Sequence, residues 1–288
     1  VPLLCISHNT RYRYRRPVAL GPHRLMLRPR ESRDIQLRAS ELAIAPQAMV
    51  TWAQDVFGNT VATANFETET DTLHIRSRVE LELLAHPWPV FDIAASALSY
   101  PFRYSDEEWT DLGALATEQY ADPEGRLRRW AQEFVYGPAT DTLSLLKDLS
   151  TGISSQIWYQ NRDDEGAQTP LQTLDRGWGA CRDSAVLLAE AARSLGFGAR
   201  IVSGYLYNPD GALVGTSPSG STHAWTEIYL PGAGWIAFDP TNRSVGGANL
   251  IPAAVVRCMA QAVPVSGSFV GMTDAFIGMD VDVTVAAV

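Results

Sequence analysis

Lysine is nearly missing from this chain: Lys147 is the only one, and every other basic side chain is arginine. Acidic residues outnumber basic ones by 32 to 23, for a formal net charge of −9. That balance is not one for neutralising phosphates, so nucleic acid is excluded as the expected partner. The densest basic run, Arg11-Tyr12-Arg13-Tyr14-Arg15-Arg16, alternates two residue types and reads as a strand with one solvated face. Long hydrophobic runs are missing too. Nothing reaches the roughly 18 apolar residues of a spanning helix, so no membrane association is expected. The N-terminus turns polar at Ser7-His8, too soon for a secretory signal, and opens on Val rather than Met, as a trimmed or processed chain would. Cysteine is scarce. Cys5, Cys181 and Cys258 are odd in number and far apart, which excludes a disulfide framework. None stands in a CxxC or Cys/His spacing suited to zinc. The expectation is therefore no metal, no other cofactor, and a reducing, cytoplasmic location.

What is present is organised in two parts. The 288 residues suggest about two domains. Short alternating runs at 4–14, 24–30, 35–44, 49–52, 61–67 and 72–84 read as strands. Turn formers separate them, including Gly21-Pro22, Pro46 and Gly58-Asn59. Strands at that spacing predict an N-terminal antiparallel β-sandwich over residues 1–100. His86-Pro87-Trp88-Pro89 breaks the pattern and places a linker at about 85–101.

Helix signals fill the next stretch, which opens a second domain over residues 101–288. Ser105-Asp106-Glu107-Glu108 fits a capping box, in which the Ser hydroxyl takes one free amide and the Glu reaches back to another. Asp122-Pro123 predicts a helix running to about 136. A third helix is expected from about 140 to 159, followed by a polar loop over 161–168. Gly177-Trp178-Gly179-Ala180-Cys181 leads into a helix whose Ala185, Leu188, Ala192 and Leu195 recur at helical spacing, and Gly196 suits its C-terminal cap. Strand patterns follow at 199–207, 222–230 and 234–238, then near 268–271 and 280–287.

Three residues in that second part stand out chemically. Cys181 falls at the start of a helix, where unpaired amides and the positive dipole end favour a thiolate and can hold an oxyanion. His223 lies on a strand, with Trp225, Glu227 and Tyr229 on its face. A thiolate-imidazolium pair needs one ring nitrogen near sulfur and the other held by a third group. Asp239 ends the next strand. If the two strands form a simple hairpin around Pro231-Gly232-Ala233, Leu230 pairs with Gly234. Asp239 then lies diagonally from His223 on one face, about 7–8 Å away in backbone terms. A register shifted by one residue moves it to the other face.

The motifs carrying these residues resemble a known family. Gly179-Ala180-Cys181-Arg182-Asp183-Ser184-Ala185 is similar to the nucleophile motif of bacterial transglutaminase-like proteins. Thr222-His223-Ala224-Trp225 and Gly234-Trp235 through Phe238-Asp239-Pro240-Thr241-Asn242 resemble that family's His and Asp motifs, in order. The N-terminal part resembles the family's own N-terminal region at His8, Thr10, Tyr12 and Tyr14, at His23 to Arg30, and at Phe57-Gly58-Asn59. The resemblance implies an α+β chain in which a β-sandwich precedes a papain-like, transglutaminase-like core. In that core a nucleophile-bearing helix packs on an antiparallel sheet carrying His and Asp. It implies Cys181, His223 and Asp239 as a catalytic triad. Two positions depart from the family pattern: Ser184 replaces an aromatic, and residues 256–264 replace a Gly-Arg-Asp-Tyr-like stretch.

The implied activity is thiol-dependent hydrolysis of amide or peptide bonds, as in a cysteine protease or amidase, with a peptide or protein as substrate. Transamidation of protein glutamine by the same triad is the alternative, and a non-catalytic binding or scaffold module is a third reading. Trp178, Asp183 and Trp225 are the expected cleft residues. Asp183 equally suits a stabilising role in the helix's first turn, and Trp178 suits packing as well as a cleft wall. No acidic loop resembles a calcium site. The sequence leaves the oligomeric state open.

Overall fold

The computed structural model describes residues 1–162, 164–215 and 220–288. The fold is α+β, with mostly antiparallel sheets. Strands β1 (Leu3–Leu20), β2 (His23–Leu25), β3 (Ile35–Ala45), β4 (Met49–Gln54), β5 (Thr60–Asn65) and β6 (Thr70–Leu83) form two antiparallel sheets. One has the order β1-β6-β3 and the other the order β2-β5-β4. Alternation explains their packing: along β6, Leu73, Ile75, Val79 and Leu81 are buried, while Arg76, Arg78 and Glu80 between them point outward. Tyr14, Val18, Leu25, Ala62, Leu73 and Ile75 fill the space between the two sheets.

The helices are α1 (Asp106–Leu112), α2 (Arg126–Gln132), α3 (Thr142–Gln156), α4 (Pro170–Arg176) and α5 (Cys181–Ser194). The expected capping box at Ser105 and Glu108 is formed. Asp122 caps α2 from further back than expected: its carboxylate accepts from the amides of Arg126, Leu127 and Arg128, and Gly125 stands at the cap. Helix α3 ends at Gln156, short of the expected 159, because Trp158 and Tyr159 leave it to pair with Trp178 and Gly179. Helix α4 was not anticipated, although Thr169, Pro170 and Gln172 supply a complete capping box with Pro in the first turn.

Helix α5 is the core of the second part. It is buried all round rather than along one stripe, from Asp183 to Ser194. Leu187 and Leu188, both fully buried, each contribute roughly 1.5–3 kcal/mol. The charged pair in its second half is satisfied internally: Arg193 pairs with Glu190 and also donates to the carbonyls of Leu115, Ala199 and Arg257. Only the N-terminal end, at Cys181 and Arg182, leaves full burial. Against α5 lies an antiparallel sheet of β7 (Ala199–Leu206), β8 (Ser221–Leu230), β9 (Gly234–Asp239) and β10 (Leu250–Val256), with a short strand at Ser244–Val245.

The boundary expected at residue 101 does not hold for the C-terminus. The last strand, β11 (Phe276–Ala287), pairs along β1, from Leu4 with Ala287 to Tyr14 with Phe276. Val265–Ser266 adds to β2, and Phe269–Val270 to the end of β1. The chain thus returns to complete the N-terminal sheets. No local pattern in the sequence distinguishes a strand that extends its own sheet from one that joins a distant one. The two parts also share a seam. Leu4, Ile6, Val79 and Leu81 pack with Tyr205, Ile251, Ala253 and Val285. Buried Asn59 donates to the Val255 carbonyl at 2.7 Å and accepts from the Val255 amide at 2.8 Å, acting as one more rung on β10. Among the described residues, no helix is long and apolar enough to cross a membrane.

Candidate active site

Cys181 is the first residue of α5. Two local features hold it there. Asp183 reaches back to accept from the Ala180 amide at 2.8 Å, which fixes the first turn. Gly179 lets the incoming strand pass close to that carboxylate, since an added Cβ would sit 2.8 Å from the Asp183 Cβ. Gly179→Ala should therefore cost about 1–3 kcal/mol through overpacking, read as a lower urea midpoint. An unchanged midpoint would show that the turn relaxes freely. The first intrahelical bond runs from the Asp183 amide to the Ala180 carbonyl, so the Cys181 and Arg182 amides precede the helical ladder.

The hairpin register is the expected one, with Leu230 opposite Gly234 and Thr226 opposite Phe238. Ala224 and Ile228 face α5, and the Thr226 hydroxyl donates to the Ala185 carbonyl at 2.8 Å. His223 and Trp225 occupy the other face, with rings 6.3 Å apart and nearly parallel. Two residues past the last rung between β8 and β9, the Ala224 amide acts on the Cys181 sulfur and favours its ionised form.

His223 and Asp239 are 2% and 1% exposed, and the His223 Nε2 lies 2.8 Å from the Asp239 Oδ2. The other imidazole nitrogen, Nδ1, is buried with no hydrogen-bond partner among the described residues, and it is the one left for the thiol. Asp239 is held on both oxygens. Oδ1 accepts from the amides of Thr241 at 2.9 Å and Asn242 at 3.3 Å, and Oδ2 also accepts from the Asn242 side chain at 2.8 Å.

The electrostatics follow from this wiring. Burial alone would depress the imidazole, but the Asp239 carboxylate and the adjacent Cys181 outweigh it, and His223 is pushed up to about 10. Burial would raise the Cys181 thiol, yet the imidazole and the Ala224 amide bring it below its ordinary value. Asp239 is likewise held below the carboxylate range by His223, Asn242 and Thr241 against the effect of burial. The arrangement favours a thiolate beside an imidazolium, on a cysteine that as a residue is half-buried.

The three expected cleft residues fare differently. Asp183 does not line a cleft. It is fully buried, and accepts from the Gln168 amide at 2.7 Å and from Arg162 at 2.9 and 3.0 Å. A carboxylate with that many donors inside the fold is a fastener. Trp225 is 1% exposed and packs with Val202, Leu206, Leu250 and Val255 behind the imidazole, and the cavity it borders, with Arg30, Arg200 and Trp235, does not include Cys181. Trp178 is half-buried beside Trp158, with the Arg176 guanidinium over its ring.

Two further residues frame the site, one with no role in the sequence reading and one outside it. Asn242 was part of the Asp motif without a role. Tyr159 pairs in register with Gly179, two residues before the thiol, and its hydroxyl is pushed up to about 12 by burial and by Cys181. Only the parallel pairing of two dipeptides brings it there, so no local pattern could reveal it. Among the described residues, no three His, Cys, Asp or Glu side chains converge as a metal site.

Comparison with known proteins agrees with this architecture. Residues 4–82 match the bacterial transglutaminase-like N-terminal region, and residues 128–240 match the transglutaminase-like superfamily core. Each match covers less than half of the chain, and together they place a bacterial transglutaminase-like N-terminal region ahead of a transglutaminase-like core. Over 114 residues it is 32% identical to the uncharacterized protein ML0607 of Mycobacterium leprae, and the match spans 40% of each chain. The crystal structure of a putative cysteine protease from Cytophaga hutchinsonii superposes with a TM-score of 0.74, over 100% of this chain and 92% of that one. At 18% identity, that likeness shows a common fold. The periplasmic domain of TgpA from Pseudomonas aeruginosa gives a TM-score of 0.34 at 17% identity, covering 81% of this chain and 87% of that one, too loose a superposition to carry an argument.

Proposed function

We propose that this protein hydrolyses amide or peptide bonds through Cys181, His223 and Asp239. The observation that carries the reading is a half-buried cysteine at a helix N-terminus, with an imidazole beside it that a buried carboxylate fixes at 2.8 Å. The Cys181 thiolate attacks the carbonyl carbon. The negative charge moves to oxygen, where the Cys181 backbone amide donates to it. The C–N bond then breaks as His223 Nδ1–H passes its proton to the leaving amine, and a thioester remains. Water, deprotonated by the now neutral His223, attacks the thioester. The acid departs and the thiolate-imidazolium pair returns. Asp239 stays ionised throughout, holding the ring and stabilising its charged form.

The test is the rate of iodoacetamide alkylation at Cys181 from pH 4 to 9, mapped by mass spectrometry in the wild type and in His223→Ala. A wild-type thiol that reacts well below pH 7, with a midpoint near 8.5 in the variant, is the expected result. A thiol that stays inert in both, or titrates ordinarily in both, removes the chemical basis of the proposal and leaves a binding module as the better account. Incubation of the alkylation-competent protein with a peptide amide, with and without a primary amine, reads the acceptor. Release of acid in both mixtures is expected, whereas product formed only with the amine would reassign the protein as a transamidase.

A further inference from the structure

Asn242 has two ends, and they hold two different things. Its side-chain Nδ2 donates to the Asp239 Oδ2 at 2.8 Å, the same oxygen that His223 Nε2 faces. Its Oδ1 accepts from the Val214 amide at 2.8 Å. The orientation of the amide is fixed by chemistry: only NH2 can meet a carboxylate, and only oxygen can meet an N–H. Val214 belongs to the loop after β7. There Asn208 accepts from the Leu213 amide at 3.2 Å, and the loop then passes over Tyr159 at Gly215, where an added Cβ would lie 2.9 Å from the phenol oxygen. Tyr159 is in turn paired with Gly179, just before the thiol. The loop that lies against Tyr159 is thus tied, through one amide side chain, to the carboxylate that orients His223.

We propose that Asn242 is a positioning residue coupling the 208–215 loop to the triad, so that the seating of this loop sets the alignment of Asp239 with His223. The inference rests on the thiol-hydrolase reading and deepens it. Displacement of the loop withdraws the Val214 amide from Asn242, leaves Nδ2 free to leave Oδ2, and loosens the carboxylate that holds the imidazole. A substrate that seats the loop does the reverse, and the pair is strongest when the cleft is filled.

The two ends of Asn242 can be cut separately. Asn242→Ala removes both. Val214→Pro removes only the loop end, since proline has no N–H, and leaves the contact with Asp239 in place. Each variant is followed by the pH midpoint of Cys181 alkylation, beside the wild type and His223→Ala. Circular dichroism establishes that each is folded. A merely structural change would scale the alkylation rate at every pH alike and leave the midpoint where it was. The expected result is an upward midpoint shift of about one pH unit in Asn242→Ala, a tenfold loss of thiolate, and a smaller shift in the same direction in Val214→Pro. If Val214→Pro does not fold, Gly215→Ala displaces the same loop against Tyr159 and takes its place. A midpoint that moves in Asn242→Ala but stays at the wild-type value in the loop variant overturns the coupling. So does a midpoint that stays put in both, and in either case the thiol-hydrolase reading stands. That reading fails by a different result, namely identical wild-type and His223→Ala profiles.

Discussion

Asp239→Asn should lower amide hydrolysis by about 10⁴-fold, or roughly 5.5 kcal/mol of transition-state stabilisation. The size of the effect follows from how the carboxylate is used. Oδ1 accepts two backbone amides, and Oδ2 accepts from His223 and from the Asn242 side chain. An asparagine must turn its NH2 toward one of these sets, and either choice sets donor against donor. If the NH2 takes the Oδ2 place, the imidazole is forced into the wrong tautomer. If it takes the Oδ1 place, two part-buried amides lose their acceptor. The loss should fall on kcat, with KM little changed, because the group acts on the imidazolium rather than on bound substrate. A rate within tenfold of wild type would mean that His223 is held without its carboxylate. The pH dependence adds a second check. Asp239 has a depressed folded-state value, so its stabilising contribution is complete above about pH 4 and is lost as pH falls through that depressed value.

Asp183→Ala should destabilise the fold by about 3–5 kcal/mol, more than any surface substitution would. The side chain is fully buried, and its removal leaves the Ala180 and Gln168 amides without an acceptor and Arg162, 8% exposed, without its main partner. The same change frees the first turn of α5, so Cys181 reactivity should fall along with stability. Urea unfolding followed by tryptophan fluorescence measures the first effect and iodoacetamide the second. The double variant Arg162→Met, Asp183→Leu replaces the pair with apolar atoms and should regain part of the lost stability. The acid limb has a defined sign. Although burial raises the Asp183 carboxyl, Arg162 and the two amides hold it below the ordinary range. Its contribution is therefore present above about pH 4 and disappears as pH falls through the lowered value. A loss under 1 kcal/mol in Asp183→Ala would show that water takes over the four bonds.

These two acidic residues illustrate what a sequence can and cannot state. The position of Asp239 relative to His223 was readable because hairpin register is local: Leu230 opposite Gly234 dictates every later pair. The position of Cys181 was readable because a glycine-punctuated turn ahead of an apolar helical repeat marks a helix start. The role of Asp183 was not readable. An acidic residue in a first turn has the same sequence signature whether it faces solvent or a buried guanidinium, and Arg162 comes from a loop that looks merely polar.

The amino-acid sequence by itself determined the strand alternation, the caps, and the order of three chemically apt residues, since each depends on neighbours within a few positions. Tertiary structure decided the rest. It sent β11 back to β1, seated Asn59 against β10, buried Trp225 behind the imidazole, and brought Tyr159 beside the strand that leads to the thiol, under the 208–215 loop. The physical reason is common to all four. Which partner a strand edge, a buried amide or a ring meets is set by whole-chain packing, where contacts distant in sequence compete for the same surface.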